Sequence, residues 1–250
     1  MNQALVSIIT PAFNCASTIK GTFDSVLSQT YENWEWIIVD DCSSDGSFQF
    51  IQDLVKDDNR IRVLQLAENS GPASARNAGL RHANGRYITF LDSDDALDPN
   101  YLECQLEFIK DNGPLVSAGY RRKAEHTCTE FHVPDVADYK TILKGNPLSC
   151  LTTMYDRSVI GDVFFPESFD KAEDYSFWLD ILKTGVIARG NPRVLATYNI
   201  VKGSRSSNKL CLVKRMYRVY RETQGIGRIK SWYYVFCWAI YGVKKYRNVR

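Results

Sequence analysis

Hydrophobic and polar residues alternate in blocks along the first 110 or so positions, and each block has the length of one strand or one helix. Four runs have the pattern of strands, and the first of them is apolar and β-branched with almost no internal alternation, which is typical of a strand buried on both faces. These runs span residues 4–10, 34–40, 61–66 and 86–91. Segments with helical spacing lie between them, at 16–28, 47–56 and 72–83. Strands that alternate with helices predict an α/β fold with a mainly parallel sheet and helices on both faces.

The pattern becomes less regular after residue 112. The predicted elements there are strands at 114–120, within 150–160 and within 186–200, and helices at 98–110 and about 173–183, whereas 121–148 is polar and irregular. A helical segment begins near Asn208. We therefore predict one α/β domain over residues 1–207, with halves at about 1–112 and 113–207, followed by a helical tail over 208–250.

The tail differs from the rest of the chain in charge. Residues 209–250 contain eleven Lys or Arg and a single acid, whereas the preceding residues have an excess of acids. Segment 231–243, SWYYVFCWAIYGV, is rich in aromatic residues but too short to span a bilayer. It is flanked by Lys230 on one side and by Lys244, Lys245 and Arg247 on the other, as in helices that lie in a membrane interface. We expect the tail to bind an anionic membrane surface; the alternative is a helix packed on the protein's own core.

Cysteine usage and the N-terminus indicate the compartment. The seven cysteines are scattered and form no CxxC pair, which favours reduced thiols over a disulfide framework or a zinc site. The N-terminal apolar run lacks the basic flank of a signal peptide, and no segment reaches the roughly 18 apolar residues of a membrane span. We expect a cytoplasmic protein that is peripheral on the inner face of the membrane. Nucleic acid is not expected as a partner, since only the tail is basic.

Three polar segments follow predicted strands and mark a candidate site. They are TPAFN at 10–14, DDCSSDGS at 40–47 and LDSDDALD at 91–98. The carboxyl ends of parallel strands meet at one edge of a sheet, and ligands bind beyond that edge. The sequence therefore predicts a ligand site built from these segments.

The third segment has four acids within seven positions: Asp92, Asp94, Asp95 and Asp98. Carboxylates this close repel one another unless a cation lies among them or the loop is solvated. A solvated loop that caps the next helix accounts for Asp98 and is favoured for Asp95. An EF-hand is excluded because Leu97 replaces the glycine that its turn needs. Asp92 and Asp94, two residues apart on extended backbone, can reach one Mg²⁺ or Mn²⁺ shared with a diphosphate.

Several motifs in combination closely resemble family 2 glycosyltransferases of the GT-A fold. They are VSIITPAFN, SVLSQTY, IIVDDCSSDGS, ARNAG and FLDSDD. The resemblance is strong over roughly residues 4–111 and extends more loosely to about 200. It implies metal-dependent transfer of a sugar from a nucleotide-sugar donor.

The resemblance also implies roles for individual residues on the donor side. Pro11, Ala12 and Phe13 match the stretch that lies along the nucleotide base, where Phe13 could stack on a pyrimidine. Asp41 matches the acid that accepts the imide N–H of uracil, whereas Asp40 is expected to brace the turn. For Phe13 the alternative is a core aromatic residue.

The diphosphate and the metal are assigned to two further motifs. Arg76 matches the family's basic residue near the diphosphate, with a surface salt bridge as the alternative. Asp92, Ser93 and Asp94 match the DxD motif, in which Asp94 is the principal metal ligand.

The second half is expected to supply the acceptor side. The segment FDKAEDYSFWLDIL resembles the family's Glu-Asp motif, which makes Asp174 the general base and Glu173 a second candidate. The alternative for both acids is favourable placement at a helix N-terminus. GSRSSN at 203–208 resembles a segment that closes over the donor, with Arg205 as a phosphate contact; an ordinary polar linker is the equal alternative.

The sequence lacks the Gln-x-x-Arg-Trp motif of the family's processive members. We therefore expect a non-processive enzyme. The resemblance implies that it moves a sugar, with inversion, from a UDP-sugar to a hydroxyl of a lipid-linked saccharide, as in O-antigen or capsule synthesis. A sugar nucleotidyltransferase is a rival, but it should have a Gly-rich signature with a nearby Lys after the first strand, and the segment TPAFNCAS shows neither. A non-catalytic sugar-nucleotide-binding module is a second rival, and it could dispense with the carboxylate of Asp174.

Overall fold

The computed structural model describes residues 3–125, 127–167, 172–200 and 209–247, and structural statements below concern these residues. The strands are β1 (Val6–Ala12), β2 (Trp34–Asp40), β3 (Ile61–Gln65), β4 (Tyr87–Phe90), β5 (Ala96–Leu97), β6 (Leu115–Lys123), β7 (Cys128–Phe131), β8 (Val136–Ala137), β9 (Thr153–Asp156) and β10 (Ala188–Asn199). The α-helices are α1 (Ile19–Leu27), α2 (Ser47–Val55), α3 (Pro72–His82), α4 (Tyr101–Asn112), α5 (Tyr139–Ile142), α6 (Arg157–Ile160), α7 (Glu173–Lys183), α8 (Lys209–Arg218) and α9 (Arg228–Arg247).

The four strands of the first half form the predicted parallel sheet. The described strands run in the order β3-β2-β1-β4-β9-β6-β10-β5, and β1 pairs in parallel with both β2 and β4. In the register of β1 and β2, Ala12 lies opposite Asp40. The segments after these two strands therefore leave the sheet side by side at its carboxyl edge, as the strand pattern predicted.

The second half of the sheet is mixed. β9 lies antiparallel between β4 and β6, although β6 and β10 are parallel to each other. The polar segment 121–148, predicted to be irregular, contains β7, β8 and α5. The predicted strand within 150–160 ends at Asp156, whose Oδ1 accepts from the Ser158 N–H at 3.0 Å and begins α6. A capping carboxylate satisfies a free amide at a helix start, so the chain turns out of the sheet here.

Apolar residues of the sheet face two separate cores, one on each side. On one side Ile8 and Trp36 pack with α1 and α4, and on the other Ile9 packs with α3 and α7. α3 lies very close to β1, because a Cβ at Gly79 would stand 2.5 Å from Cγ2 of Ile9. The glycine of the ARNAG motif therefore sets how closely α3 approaches the sheet.

The C-terminal segment packs on the α/β domain through one face. A π-helical turn at Val219–Thr223 joins α8 to the chain before α9. Tyr220 is buried in this turn, and its hydroxyl donates to the Leu143 carbonyl at 2.8 Å. Gln224 donates to the Asp180 carboxylate on α7 at 2.8 Å. The packing alternative for the tail thus holds for this inner face.

The opposite face of α9 is exposed and apolar. Its exposed large side chains are Ile229, Trp232, Tyr233, Phe236, Ile240 and Val243. Apart from the adjacent Trp232 and Tyr233, they follow one another at intervals of three or four residues, which puts them along one side of the helix. None of the helices in the described ranges is long and apolar enough to cross a bilayer.

Candidate active site

The loops after β1 and β2 are joined by hydrogen bonds at the carboxyl edge of the sheet. The Asp41 N–H donates to the Ala12 carbonyl at 2.8 Å, and the Asn14 N–H donates to Ser43 Oγ at 2.9 Å. Asn14 has a φ of 48°, a left-handed conformation that asparagine tolerates better than most residues. Phe13 lies between these contacts with 40% of its surface exposed, so the core-aromatic alternative for Phe13 is wrong.

Asp41 and Asp40 have different environments. Both oxygens of the buried Asp41 carboxylate accept backbone N–H groups, from Ser70 at 2.7 Å and from Gly71 at 2.8 Å. Asp41 therefore ties the end of β2 to the start of α3, and each of its oxygens retains a second lone pair for a ligand donor. Asp40 accepts from the Ser43 N–H at 3.0 Å and from Gln65 at 3.1 Å, which braces the turn as predicted.

Arg76 on α3 forms an ion pair with the DxD motif. Its Nη2 donates to Asp92 Oδ1 at 2.6 Å, and the Arg76 side chain is only 8% exposed. Burial alone would lower the pKa of Arg76, but the charges of Asp92 and Glu173 raise it above its ordinary value. The surface-salt-bridge alternative is wrong because the guanidinium is buried. The buried Nε of Arg76 has no hydrogen-bond partner among the described residues.

The DxD loop is held by the last residue of β10. The Asn199 N–H donates to Asp95 Oδ1 at 2.8 Å, and its side-chain amide donates to the Asp94 carbonyl at 2.7 Å. Burial, reinforced by the charge of Asp92, raises the pKa of Asp95 to about 9 and also raises the pKa of Asp94. Asp95 is 1% exposed, so the solvated-loop interpretation of Asp95 is wrong. It fails because Asn199, far away in the sequence, covers this carboxylate.

Asp98 does not cap the next helix through its side chain. Its carboxylate forms an ion pair with Arg121 on β6, and α4 begins at Tyr101 with Asn100 as the preceding residue. The Asn100 side chain makes no capping hydrogen bond, and the Leu102 N–H in the first turn donates to Gln29 Oε1 at 3.0 Å. The capping interpretation is wrong because a basic partner on β6 lies within reach.

The acids of the DxD loop fit a cation only in part. Within the described residues, no group of three His, Cys, Asp or Glu side chains is placed to hold a metal ion. Mg²⁺ and Mn²⁺ often take one or two carboxylates and complete their octahedron with phosphate oxygens and water. Asp92 and Asp94 suit such a partial site. Burial raises the pKa of Asp94, the negative charge of Asp92 raises it further, and a cation would relieve that repulsion. Asp95 Oδ2 is also buried, with no partner in the described part of the chain.

The predicted acceptor-side acids begin α7 and lie close to the DxD motif. Glu173 and Asp174 are half-buried at the first turn of this helix. Burial raises the pKa of Asp174, the neighbouring Glu173 raises it further, and the positive charge of Arg76 opposes both. The charge of Asp92 also acts on Asp174. The fold therefore brings an acid of the second half to the Arg76–Asp92 pair of the first half.

Asn77 positions the chain that precedes α7. Its Oδ1 accepts the Phe165 N–H at 2.7 Å, and its Nδ2 donates to the Phe165 carbonyl at 2.8 Å. The Phe165 ring stacks on Phe177 of α7, with centroids 4.0 Å apart and planes 4° apart. Sequence reasoning missed this role of Asn77 and that of Asn199. The ARNAG motif carried the signal for Asn77, since Asn is a poor helix former and needs a reason to be there.

The remaining predicted site residues are placed as follows. Ala12 is buried and Pro11 is half-buried at the end of β1, and Ser93 is half-buried and lies near the buried Cys15 of the neighbouring loop. Burial raises the pKa of Cys15. Arg205 lies outside the described residues.

A cavity lies in another part of the protein, away from the predicted site residues. It has a volume of about 730 Å³ and includes Arg86 and Tyr87 at the amino end of β4. None of the predicted site residues lines it. Ligands of parallel sheets bind at the carboxyl edge of the sheet. We therefore assign the candidate active site to that edge, where the DxD motif lies, and call it the DxD edge.

Comparison with known proteins identifies the family. Residues 7–162 match glycosyl transferase family 2. The chain belongs to glycosyltransferase family 2. This glycosyltransferase is 41% identical over 97% of its length to TuaG of Bacillus subtilis, whose name places it in teichuronic acid biosynthesis, and it covers 98% of TuaG. It is 36% identical to WfgD of Escherichia coli, named a UDP-Glc:α-D-GlcNAc-diphosphoundecaprenol β-1,3-glucosyltransferase, with 98% and 96% of the two chains covered.

Solved structures confirm that this glycosyltransferase has the GT-A fold. TarS of S. aureus in complex with UDP-GlcNAc superposes with a TM-score of 0.73 at 22% identity, covering 90% of this chain and 69% of TarS. The mannosyltransferase PcManGT of Pyrobaculum calidifontis, in complex with GDP-Man and Mn²⁺, has a TM-score of 0.69 at 18% identity. That alignment covers 92% of this chain and 69% of PcManGT.

Proposed function

We propose that this enzyme transfers one sugar from a UDP-sugar to a hydroxyl of a lipid-diphosphate-linked saccharide, with inversion at the anomeric carbon. The observation that carries this proposal is the convergence of Asp174 with the Arg76–Asp92 pair at the carboxyl edge of the sheet. A base for the acceptor and a cation for the leaving diphosphate are the two groups that a direct displacement requires.

Each end of the proposed reaction has its own residues. Phe13 and Asp41 hold the uracil, and Arg76 exchanges its Asp92 contact for the diphosphate or bridges the two. A Mg²⁺ or Mn²⁺ ion on Asp94 and Asp92 would supply Lewis-acid stabilisation of the leaving diphosphate. Asp174 accepts the proton of the acceptor hydroxyl as its oxygen attacks the anomeric carbon from the opposite side.

The acceptor class rests on likeness to named relatives. WfgD and WfaP, both from Escherichia coli, are named glucosyltransferases that use UDP-Glc and α-D-GlcNAc-diphosphoundecaprenol, and each aligns over more than nine-tenths of both chains. A lipid-linked acceptor requires the enzyme to work at a membrane surface. The exposed apolar face of α9, flanked by Arg228, Lys230 and Lys244, suits an anionic interface. We therefore propose a peripheral location on the inner face of the membrane, with surface polysaccharide as the product.

Asp41 makes the base preference testable. UDP is expected to bind about tenfold or more tightly than CDP or GDP, because a carboxylate accepts the uracil imide N–H and the other bases present different edges. Calorimetry with the three diphosphates in the same metal buffer measures this. Equal affinities for all three would remove Asp41 from base recognition.

The exposed face of α9 predicts membrane binding. The double variant Trp232→Ser/Phe236→Ser is expected to reduce flotation with phosphatidylglycerol vesicles at least about tenfold, because each ring contributes roughly 1.5–3 kcal/mol when buried in lipid. Phe50→Ser is a matched control, since Phe50 is 40% exposed on α2. If the double variant floats as well as the wild type, α9 is not the membrane contact.

A further inference from the structure

A second, smaller pocket lies between the β6–β7 hairpin and the end of α9. Its volume is about 240 Å³, and its lining includes three basic side chains, one histidine, one acid and one aromatic ring: Arg122, Lys244, Lys245, His132, Glu130 and Phe131. Glu130 lies 3.4 Å from His132 within this lining. Three Lys or Arg against one acid leave the pocket with an excess of positive charge.

Lys245 is a half-buried cation that packs against two aromatic rings. Its ammonium lies 4.1 Å from the centroid of the Phe131 ring and 5.9 Å from that of Tyr120. Burial and, to a smaller extent, the positive charge of Arg122 lower the pKa of Lys245 to about 8, and the charge of Asp174 acts in the opposite direction. Two cations drawn together on a partly apolar wall repel each other, and a bound anion would relieve this repulsion.

The pocket lies near both the candidate base and the exposed end of α9. The charge of Asp174 acts on Lys245, and Asp174 also interacts with the Arg76–Asp92 pair. The pocket is thus near enough to the candidate base for the charges of Lys245 and Asp174 to interact. The exposed apolar residues Ile240 and Val243 lie on the last turns of α9, next to Lys244 and Lys245.

This order of groups matches the order of groups along a lipid-linked acceptor. Such a molecule has a sugar with the attacking hydroxyl, then a diphosphate on the anomeric carbon of that sugar, then a hydrocarbon chain. With the hydroxyl at Asp174, one sugar ring separates the base from the diphosphate, and the chain continues toward the membrane-facing side of α9.

We propose that the pocket formed by Arg122, Lys244 and Lys245 binds the diphosphate of the acceptor. This inference rests on the proposed function and adds a site to it. Charge-assisted contacts from Arg and Lys to phosphate oxygens are stronger than neutral hydrogen bonds, and pairing two cations with one dianionic group suits a diphosphate ester. Such a site would distinguish an acceptor sugar that carries a diphosphate from the same sugar without one.

Citronellyl diphosphate, a short and water-soluble isoprenyl diphosphate, is the probe for this pocket. Calorimetry is carried out on the full chain with UDP and Mn²⁺ at saturation, so that the donor site is filled. Lys245→Gln is expected to weaken binding of the probe about tenfold or more. Lys244→Gln, which changes an exposed lysine, is expected to weaken it by a similar factor. Lys56→Gln, which alters an exposed lysine after α2, is the matched control and should bind as the wild type does.

The outcomes separate this inference from the proposed function. If the wild type binds UDP, but both pocket variants bind the probe as tightly as the control, the diphosphate pocket is refuted and the donor side stands. If the wild type fails to bind UDP at all, the proposed function fails and the pocket assignment fails with it. If phosphatidylglycerol vesicles displace the probe from a Trp232→Ser/Phe236→Ser background, the pocket recognises lipid headgroups and the acceptor assignment is overturned.

Discussion

Asp174→Asn is expected to lower turnover by roughly 10²–10⁴-fold while UDP affinity stays near that of the wild type. A positioned general base contributes this much to a proton transfer, and the substitution keeps the shape of the side chain while removing its basicity. Single-turnover kinetics and UDP calorimetry on the same preparation measure the two effects separately. Asp180→Asn is the matched control, since Asp180 lies on α7 and contacts Gln224 rather than the DxD edge.

The pKa of Asp174 adds a pH signature to this prediction. Burial and Glu173 raise its pKa in the folded protein, so the carboxylate becomes a base only as the pH rises through that raised value. The wild-type rate should increase along this acid limb, and the residual rate of Asp174→Asn should not follow it.

Stability should change in the opposite sense to activity. A raised folded-state pKa means that the folded protein binds the proton more tightly than the unfolded chain, so stability falls as the pH rises between the two values. Asp174→Asn removes that loss, and its melting temperature at neutral pH should equal or exceed that of the wild type. If Asp174→Asn keeps near-normal turnover, Glu173 is the general base instead. Loss of UDP binding would instead place Asp174 on the donor side.

Asp94→Ala is expected to reduce turnover about a thousandfold or more, and EDTA should do the same to the wild type. A metal ion that stabilises the leaving diphosphate contributes several kcal/mol to the transition state. Mn²⁺ or Mg²⁺ added after EDTA should restore the wild type but not the variant. Asp53→Ala, which removes an exposed acid on α2, controls for the loss of a carboxylate. Full activity of Asp94→Ala in metal-free buffer would contradict the metal assignment.

The first half of the fold could be predicted because its signals are local. β1 to β4 are short apolar runs separated by turn and capping residues, and each is identified from its own sequence. β5 and β8 have two residues each, and both exist only because they pair with β10. No local pattern specifies such strands, since their partner is distant in the sequence.

The same distinction applies to the candidate site. The turn-bracing role of Asp40 was predicted because its partner Ser43 is three residues away. The burial of Asp95 was not predicted, because the residue that hydrogen-bonds its carboxylate is Asn199 on β10. Asp98 was assigned to a helix cap from its neighbours, yet its partner Arg121 lies on another strand. The contacts of side chains whose partners are distant in sequence could be identified only from the structure.

The proximity of Asp174 to the DxD motif also depends on long-range packing. The helical spacing at 173–183 predicted α7, but its position depends on Phe165, which Asn77 holds through two hydrogen bonds. The stacked pair of Phe165 and Phe177 then fixes the start of the helix near Arg76. Only the resemblance to the family linked these segments before the structure did.

The proposed glycosyl transfer is tested most directly by the product of a single reaction. The enzyme is incubated with Mn²⁺, a panel of UDP-sugars and an α-GlcNAc diphosphate that bears a short alkyl chain, and the products are followed by proton NMR. We predict release of UDP that requires donor, acceptor and metal together, and a new β-glycosidic linkage formed from an α-linked donor. Release of sugar 1-phosphate and UMP, or retention of the α configuration, would contradict it.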